Sequence, residues 1–308
     1  MSAQKLRIGS RGSQLALWQA NHVAGLLRAR GLEVEIEIIK TTGDRMQEPE
    51  FLSTMPPDAD SKGIFIKEIE EALTANHIDL AVHSLKDLPT ELAPQFSLAA
   101  VLERADARDV LVCVQERTLS QLPANARIGT TSPRRQAQLR VMQPELQFVE
   151  VRGNVDTRLR KLAEGHADAL VLAAAGLDRL QRTEWVRQIF SPDELCPAPG
   201  QGALALECRA GDAATQQAVA FLDHAPTRYA VTAERLVLHQ LGGGCSLPVG
   251  VYCELREDRP RLYAAVAHPR RARGAKWMIG LPAGASAEAL AAEMLERMLA
   301  DGAREYLQ

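Results

Sequence analysis

The chain has 308 residues, 46% of them apolar and 24% charged, with a formal net charge of −3. Those proportions belong to a soluble globular protein of two or three domains and exclude a disordered, collagen-like or fibrous chain. No run reaches the ~18 apolar residues of a membrane-spanning helix, and no basic surplus supplies a general field for nucleic acid. The first residues carry no apolar signal core, so a cytoplasmic location is expected. Five cysteines (113, 196, 208, 245 and 253) include no CxxC pair. This argues against a disulfide framework and a structural zinc site, and most of the thiols should be buried as small hydrophobes. Of 36 basic residues 29 are arginine, whose planar fork binds carboxylate or phosphate bidentately. A GC-rich coding bias explains that total as readily as function does, but not where particular arginines sit.

In chain order, the pattern predicts a strand over 6–8 and an amphipathic helix over 13–30 with Leu15, Trp18, Leu26 and Leu27 inward. A strand over 34–39, a helix over 65–75 and a short buried strand over 78–82 follow. Residues 43–63, with Pro49, Pro56 and Pro57, read as a long functional loop. The pattern restarts with a strand over 109–114. Ile128-Gly leads into a helix that Ser132 caps and Pro133 opens. A strand over 148–151, an Asn154-capped helix to 164 and a strand over 169–172 complete the second block. Two successive βα blocks predict α/β lobes with mixed, mostly parallel sheets, and the Pro- and Gly-rich 196–202 reads as a crossing between them. A helix over 229–241, strands over 249–255, 261–267 and 276–279, and a helix over 286–304 predict a smaller α+β C-terminal domain.

Three strand-to-helix junctions share one design: Arg11-Gly-Ser13, Thr130-Thr-Ser132-Pro-Arg134-Arg135, and Arg152-Gly-Asn154 with Arg158 one turn on. A helix start presents unpaired N–H groups and partial positive charge, and a neighbouring arginine adds a clamp. Each alone is a common cap beside a solvated arginine; together they predict a polyanionic ligand in a cleft between two lobes. No GxxxxGK[ST] loop favours phosphate. His83-Ser-Leu-Lys86-Asp87-Leu-Pro89 ends the buried strand. Asp87 there is either a general acid/base or counter-ion for a cation, or part of a surface Lys-Asp turn; His83 reads as a core residue or as one that supports a site residue from behind, rather than as a catalyst. In Gly242-Gly-Gly-Cys245-Ser-Leu-Pro248 the cysteine follows three glycines, which suits a covalent attachment point. A nucleophilic thiol and a plain glycine turn are the other readings.

Several segments resemble one family. They are Leu6-Arg-Ile-Gly-Ser-Arg-Gly-Ser13 with Leu15-Ala-Leu-Trp-Gln19, Lys62-Gly-Ile-Phe65, and Ala81-Val-His-Ser-Leu-Lys-Asp-Leu-Pro89. Further on come Gly129-Thr-Thr-Ser132 with Arg134-Arg135, Arg152-Gly-Asn154, Pro199-Gly-Gln-Gly202, and Glu234-Arg235 through Gly242-Gly-Gly-Cys-Ser-Leu-Pro-Val-Gly250. In family order and across nearly the whole chain, they are similar to hydroxymethylbilane synthase, also called porphobilinogen deaminase. The resemblance implies a transferase that joins four porphobilinogen molecules head to tail into hydroxymethylbilane with loss of ammonia, in tetrapyrrole (haem and porphyrin) biosynthesis. It implies a dipyrromethane cofactor in thioether linkage to Cys245, and Asp87 as a buried catalytic carboxylate that steadies an azafulvene-type cation. Lys86, Asp87, Thr130, Ser132, Arg134, Arg135 and Arg158 would hold the cofactor. Arg11, Ser13, Gln19, Lys62, Arg152, Asn154, Arg179 and Gln201 would hold substrate.

The implied fold has two lobes like type II periplasmic binding proteins, residues 1–102 with 203–222 and residues 106–198, plus a C-terminal domain over 226–308. A monomer without metal, membrane or nucleic-acid partner is expected. The chain departs from the family in lacking a second lysine over 45–61, in Gln14 where proline is usual, and in Pro133 where an apolar residue is usual. The contrasting reading is a non-catalytic two-lobed protein that captures a carboxylated ligand; it gives no reason for a thiol after three glycines.

Overall fold

A computed structural model describes residues 5–42, 66–244 and 247–307. Lys62, Cys245 and the predicted loop over 43–63 lie outside the described residues. Following the chain, Leu6–Ser10 forms β1, Gln14–Ala29 α1, Val34–Ile38 β2, Lys67–Thr74 α2, Leu80–Ser84 β3 and Phe96–Val101 β4. Next come β5 (Asp109–Val112), β6 (Arg127–Gly129), α3 (Pro133–Met142), β7 (Gln147–Val149), α4 (Val155–Ala163), β8 (Ala169–Ala173), α5 (Ala174–Arg179) and β9 (Val186–Ile189). The chain returns through β10 (Leu204–Arg209) and α6 (Ala213–Val219). It closes with α7 (Ala225–Gln240), β11 (Val249–Arg256), β12 (Arg259–Ala267), β13 (Gly274–Gly280) and α8 (Ala287–Ala300). Two compact units result, Met1–Glu103 with Ala203–Ala225, and Arg104–Gly202 with Pro226–Gln308.

The first unit is built on a sheet of order β2-β1-β3-β10-β4. β1 is parallel to β2 and β3, whereas β10 is antiparallel to both β3 and β4. On one face Ile8, Leu80, Val82 and Leu206 pack against Ala20, Val23, Ala24 and Leu27 of α1. This corrects the expected face of α1: Trp18 is 37% and Leu26 36% exposed, and Leu15 is only partly covered. Small side chains at 20 and 24 let the helix lie close on the sheet with the i, i+3, i+4, i+7 spacing of a buried stripe. The bulky residues are left on the flank, where Trp18 stacks on His22 at 5.1 Å. The opposite face buries Ile78 and Ala81 under Ile69 and Leu73 of α2.

The second unit holds a sheet of order β7-β6-β8-β5-β9, in which β6 is parallel to β7 and β8, and β5 is antiparallel to β8 and β9. The same unit contains the antiparallel β11-β12-β13 sheet, whose Val251, Leu262 and Ala264 pack with Val237 of α7 and with Leu290 and Met294 of α8. The fold class is thus α/β with mixed sheets plus a smaller α+β C-terminal part. Helix α8 ends at Ala300 rather than at 304, because Gly302 at φ 75° turns the chain into a separate short 3-10 turn.

Gly202 closes the Pro199-Gly-Gln-Gly segment at φ +87°, and a Cβ there would stand 2.6 Å from the Ala105 carbonyl oxygen. Neither the left-handed backbone nor that contact tolerates a side chain. Gly202→Ala is therefore expected to lose about 1–3 kcal/mol of stability, read as a lower urea midpoint at unchanged slope.

Candidate active site

Three predicted N-caps form. Ser13 caps α1 and accepts from Ala16 N at 3.3 Å. Ser132 caps α3 and accepts from Arg135 N at 3.4 Å, with Pro133 in the first turn. Asn154 caps α4 and accepts from Thr157 N at 2.9 Å. A side-chain oxygen thus satisfies one helix-start donor at each, while the remaining N–H groups and the positive end of the helix dipole persist. Since each helix follows a strand, these starts lie at the carboxyl edges of their sheets, where open α/β sheets bind ligands.

In the first unit, β1 and β3 are parallel neighbours, so the Arg11-Gly-Ser13 junction and the turn Leu85–Asp87 leave the same sheet edge. Gln19, 3% exposed, donates Nε2 to Ser84 Oγ at 2.9 Å, directly before that turn. Arg11 and Lys86 are half-buried, but Asp87 is exposed, which corrects the expectation of a buried carboxylate. The 3-10 turn turns Leu85 inward, Leu88 N closes on Leu85 O at 3.1 Å, and both leucines are buried; Asp87 between them is left outward.

In the second unit, β6 has β7 on one side and β8 on the other, both parallel. Thr130 is buried, its Oγ1 accepting from Ser132 N at 3.2 Å. Arg158 is half-buried and donates Nε to Gly153 O at 2.7 Å; Arg152 is exposed and holds Glu150 at 2.7 Å. Arg179, at the end of α5, is buried and donates to Gly202 O at 2.7 Å. Burial pushes its guanidinium down to about 10, with Asp178 opposing.

Behind these starts lies a buried polar network that the sequence reading did not find. Asp109 opens β5 opposite Ala173 of β8 and is fully buried. Its Oδ2 accepts from Arg134 Nη1 at 2.6 Å, and Oδ1 accepts from Arg135 Nη2 at 2.7 Å and from Gln201 Nε2 at 2.9 Å. Burial alone would raise this carboxyl; the charges and hydrogen bonds of Arg134 and Arg135 overcome it and hold Asp109 well below the usual carboxylate range. Arg134 also donates to Cys196 O at 2.6 Å, and Gln201 to Ala107 O at 2.6 Å. Three expected ligand contacts, Arg134, Arg135 and Gln201, are thus engaged by protein groups in this structure. Glu234, also fully buried, accepts from Arg104 at 2.6 Å, Gly200 N at 2.7 Å and Cys253 N at 2.8 Å. The available signal was an acid at the head of an all-apolar strand and another inside the apolar stripe of α7.

On either side of Cys245 the described chain is tightly held. Gly243 N bonds Leu238 O at 2.9 Å and Gly242 N bonds His239 O at 3.0 Å, with Gly242 at φ +99°. This is the Schellman closure of α7, so two of the three glycines end a helix. Leu247 N then bonds Gly244 O at 3.2 Å. The other cysteines, 113, 196, 208 and 253, are all buried as expected; burial pushes the Cys196 and Cys253 thiols up, out of the range of thiolate chemistry. Among the described residues no cluster of His, Cys, Asp or Glu could hold a metal ion.

Sheet edges carrying capped helix starts beside arginines, found in each unit, define an α/β protein with strand ends suited to anions. A family model described as porphobilinogen deaminase, dipyromethane cofactor binding domain, matches residues 6–217, and one described as porphobilinogen deaminase, C-terminal domain, matches residues 228–300. The chain is 44% identical over 309 residues to porphobilinogen deaminase of Geobacter sulfurreducens, covering 100% of this chain and 95% of that one. It is 48% identical over 264 residues to porphobilinogen deaminase of Roseiflexus castenholzii, covering 85% of each. The chain belongs to the porphobilinogen deaminase family, transferases of tetrapyrrole biosynthesis with a dipyrromethane cofactor. A solved methionine-binding protein, MetQ, aligns with 75% of this chain at 9% identity and a TM-score of 0.45, too remote a likeness to argue from.

Asp109→Asn should cost about 3–5 kcal/mol, because it leaves two buried guanidiniums short of their counter-charge. A carboxyl depressed by folding stabilises the native state above its unfolded pKa and loses that contribution as pH falls towards the folded value. The stability gap between wild type and variant is therefore expected to stay level from neutral pH to about pH 4 and to narrow only below it, as read by denaturant titration at several pH values.

Proposed function

We propose that this chain joins four porphobilinogen molecules head to tail into hydroxymethylbilane, releasing ammonia at each join. The observation that supports it most is the placement of Asp87 on a turn at the carboxyl edge of the first sheet, in a chain 44% identical to its relatives from end to end. Porphobilinogen carries acetate and propionate arms, so it and its oligomers are polyanions. Cationic forks and helix-start N–H groups are the donor set that such arms require, and the residues present fit a dipyrromethane for the same reason. Cys245 would anchor it by a thioether, and Lys86, Asp87, Thr130, Ser132, Arg134, Arg135 and Arg158 would hold it. When bound, the cofactor supplies the pyrrole carbon to which the first substrate is joined.

The chain's own residues would do the rest. When ammonia leaves the substrate's aminomethyl group, a cation remains on the methylene; the Asp87 carboxylate would stabilise it and orient the pyrrole N–H groups. Arg134 and Arg135 both hold Asp109, and the start of α3 would offer its remaining N–H groups to a carboxylate arm. Arg11, Ser13, Lys62, Arg152, Asn154 and Arg179 would bind the arms of incoming units. Gln19 and Gln201, buried on Ser84 and Asp109, would act through the groups they hold. A cytoplasmic monomer without nucleic-acid partners completes the reading; among the described residues no helix is long and apolar enough to cross a membrane.

Asp87→Asn keeps size and removes charge, and should lower turnover by about 10²–10³-fold or more while the dipyrromethane still assembles. A rate within threefold of wild type would refute the assignment of Asp87. Cys245→Ser should yield folded protein without anchored cofactor, detected by the pyrrole colour reaction.

A further inference from the structure

Behind the turn that carries Lys86 and Asp87, the first unit buries an imidazole–carboxylate pair with no part in the reaction as read above. His83 of β3 places Nε2 2.9 Å from Glu207 Oε2 of β10, with His83 7% and Glu207 0% exposed. The register sets His83 against Ala205 and Glu207 against Ala81, so both side chains leave the face that also buries Ala81 with Ile69 and Leu73 of α2. Glu70 of α2 faces the pair: burial first, then the charge of Glu207, raise its carboxyl, while His83 opposes the rise. Among the described residues Glu207 Oε1 is buried with no hydrogen-bond partner. An apolar pair of the same shape would be cheaper in that layer, so stability does not account for these residues.

Two further features give the pair a purpose. The β10–β4 register shifts between Leu206 and Glu207, passing over Ala99; irregularities of this kind add twist and re-aim a side chain, here where Glu207 departs. Also, β3 and β10 part company just beyond the pair. The last register pair is Ser84 with Leu204, and Leu85 N bonds Ala203 O at 3.0 Å as the chain enters the turn. The imidazole–carboxylate bond is thus a directional side-chain tie between the two strands, four residues before Asp87.

We propose that His83 and Glu207 are positioning residues: their bond fixes the end of β3, and through it the aim of the Asp87 carboxylate. The proposal rests on the assignment of Asp87 as the group that stabilises the substrate cation. A displacement of about 1 Å at a reacting group costs up to ~100-fold in rate, which a slack strand end would supply.

The test compares Glu207→Ala, Glu207→Gln and His83→Asn with wild type, each scored for dipyrromethane content, kcat and KM for porphobilinogen. Glu207→Ala should load cofactor normally and lose about 10- to 100-fold in kcat with KM within about twofold. Glu207→Gln, which keeps an acceptor oxygen for Nε2–H, should recover most of that loss. Combined with Asp87→Asn, Glu207→Ala should add no further loss in single-turnover rate, since the two act through one group. Wild-type kcat in Glu207→Ala, an equal loss in Glu207→Gln, or a multiplied loss in the double variant would overturn the proposal. Should Glu207→Ala fail to accumulate as folded protein, loaded His83→Asn decides: a tenfold or greater fall in kcat alone supports the tie, and wild-type kcat overturns it. A normal rate in Asp87→Asn would instead remove the assignment beneath it.

Discussion

One carboxylate shared by two guanidiniums organises the second unit. Asp109 draws Arg134 and Arg135 inward from the first turn of α3, and Arg134 in turn grips the Cys196 carbonyl at the head of the crossing segment. Such a cluster is held by mutual need: each charge is too costly to bury alone, and breaking one pair strands the others. A second buried acid works in parallel. Glu234 binds the Gly200 and Cys253 amides and the Arg104 fork, so α7, β11 and the crossing segment share one anchor. The loops that present helix starts are thereby fixed from behind, which is what an anion site needs if it is not to pay its ordering cost on binding.

This arrangement also explains an excess of arginine beyond what contact with ligand requires. Part of the guanidinium set is internal. Arg134 serves Asp109 and Cys196, Arg179 serves Gly202, and Arg209 holds the Leu73 and Ile78 carbonyls. Only a planar fork reaches two partners at once in such places. The start of α3 also keeps the N–H groups and the positive dipole end of its own helix. Internal and ligand-facing duties are therefore compatible in one cluster.

Local features of the fold were legible from the residues, and non-local ones were not. Ser13, Ser132 and Asn154 are legible as caps because capping involves a side chain and a backbone amide three residues on. The three strands and last helix of the C-terminal part were legible from alternation and periodicity. Strand β10 and the acids Asp109 and Glu234 went unread because their partners lie far away in sequence: Asp109 meets Gln201, Glu234 meets Arg104, and Glu207 meets His83. The inward face of α1 is not legible from side-chain size, because the sheet accepts alanines and leaves Trp18 outside. The triple glycine had a local meaning as well, since Gly242 and Gly243 close α7.

As proposed above, Cys245 would carry a covalent dipyrromethane, and arginines and helix starts would hold the oligopyrrole built on it. The chain has five cysteines, and the four that the structure describes are buried free thiols. Freshly purified, active protein should exceed its sequence mass by one dipyrromethane, located on the peptide containing Cys245, and should show four titratable thiols once unfolded. Fully active protein with the unmodified mass and five titratable thiols would contradict the account.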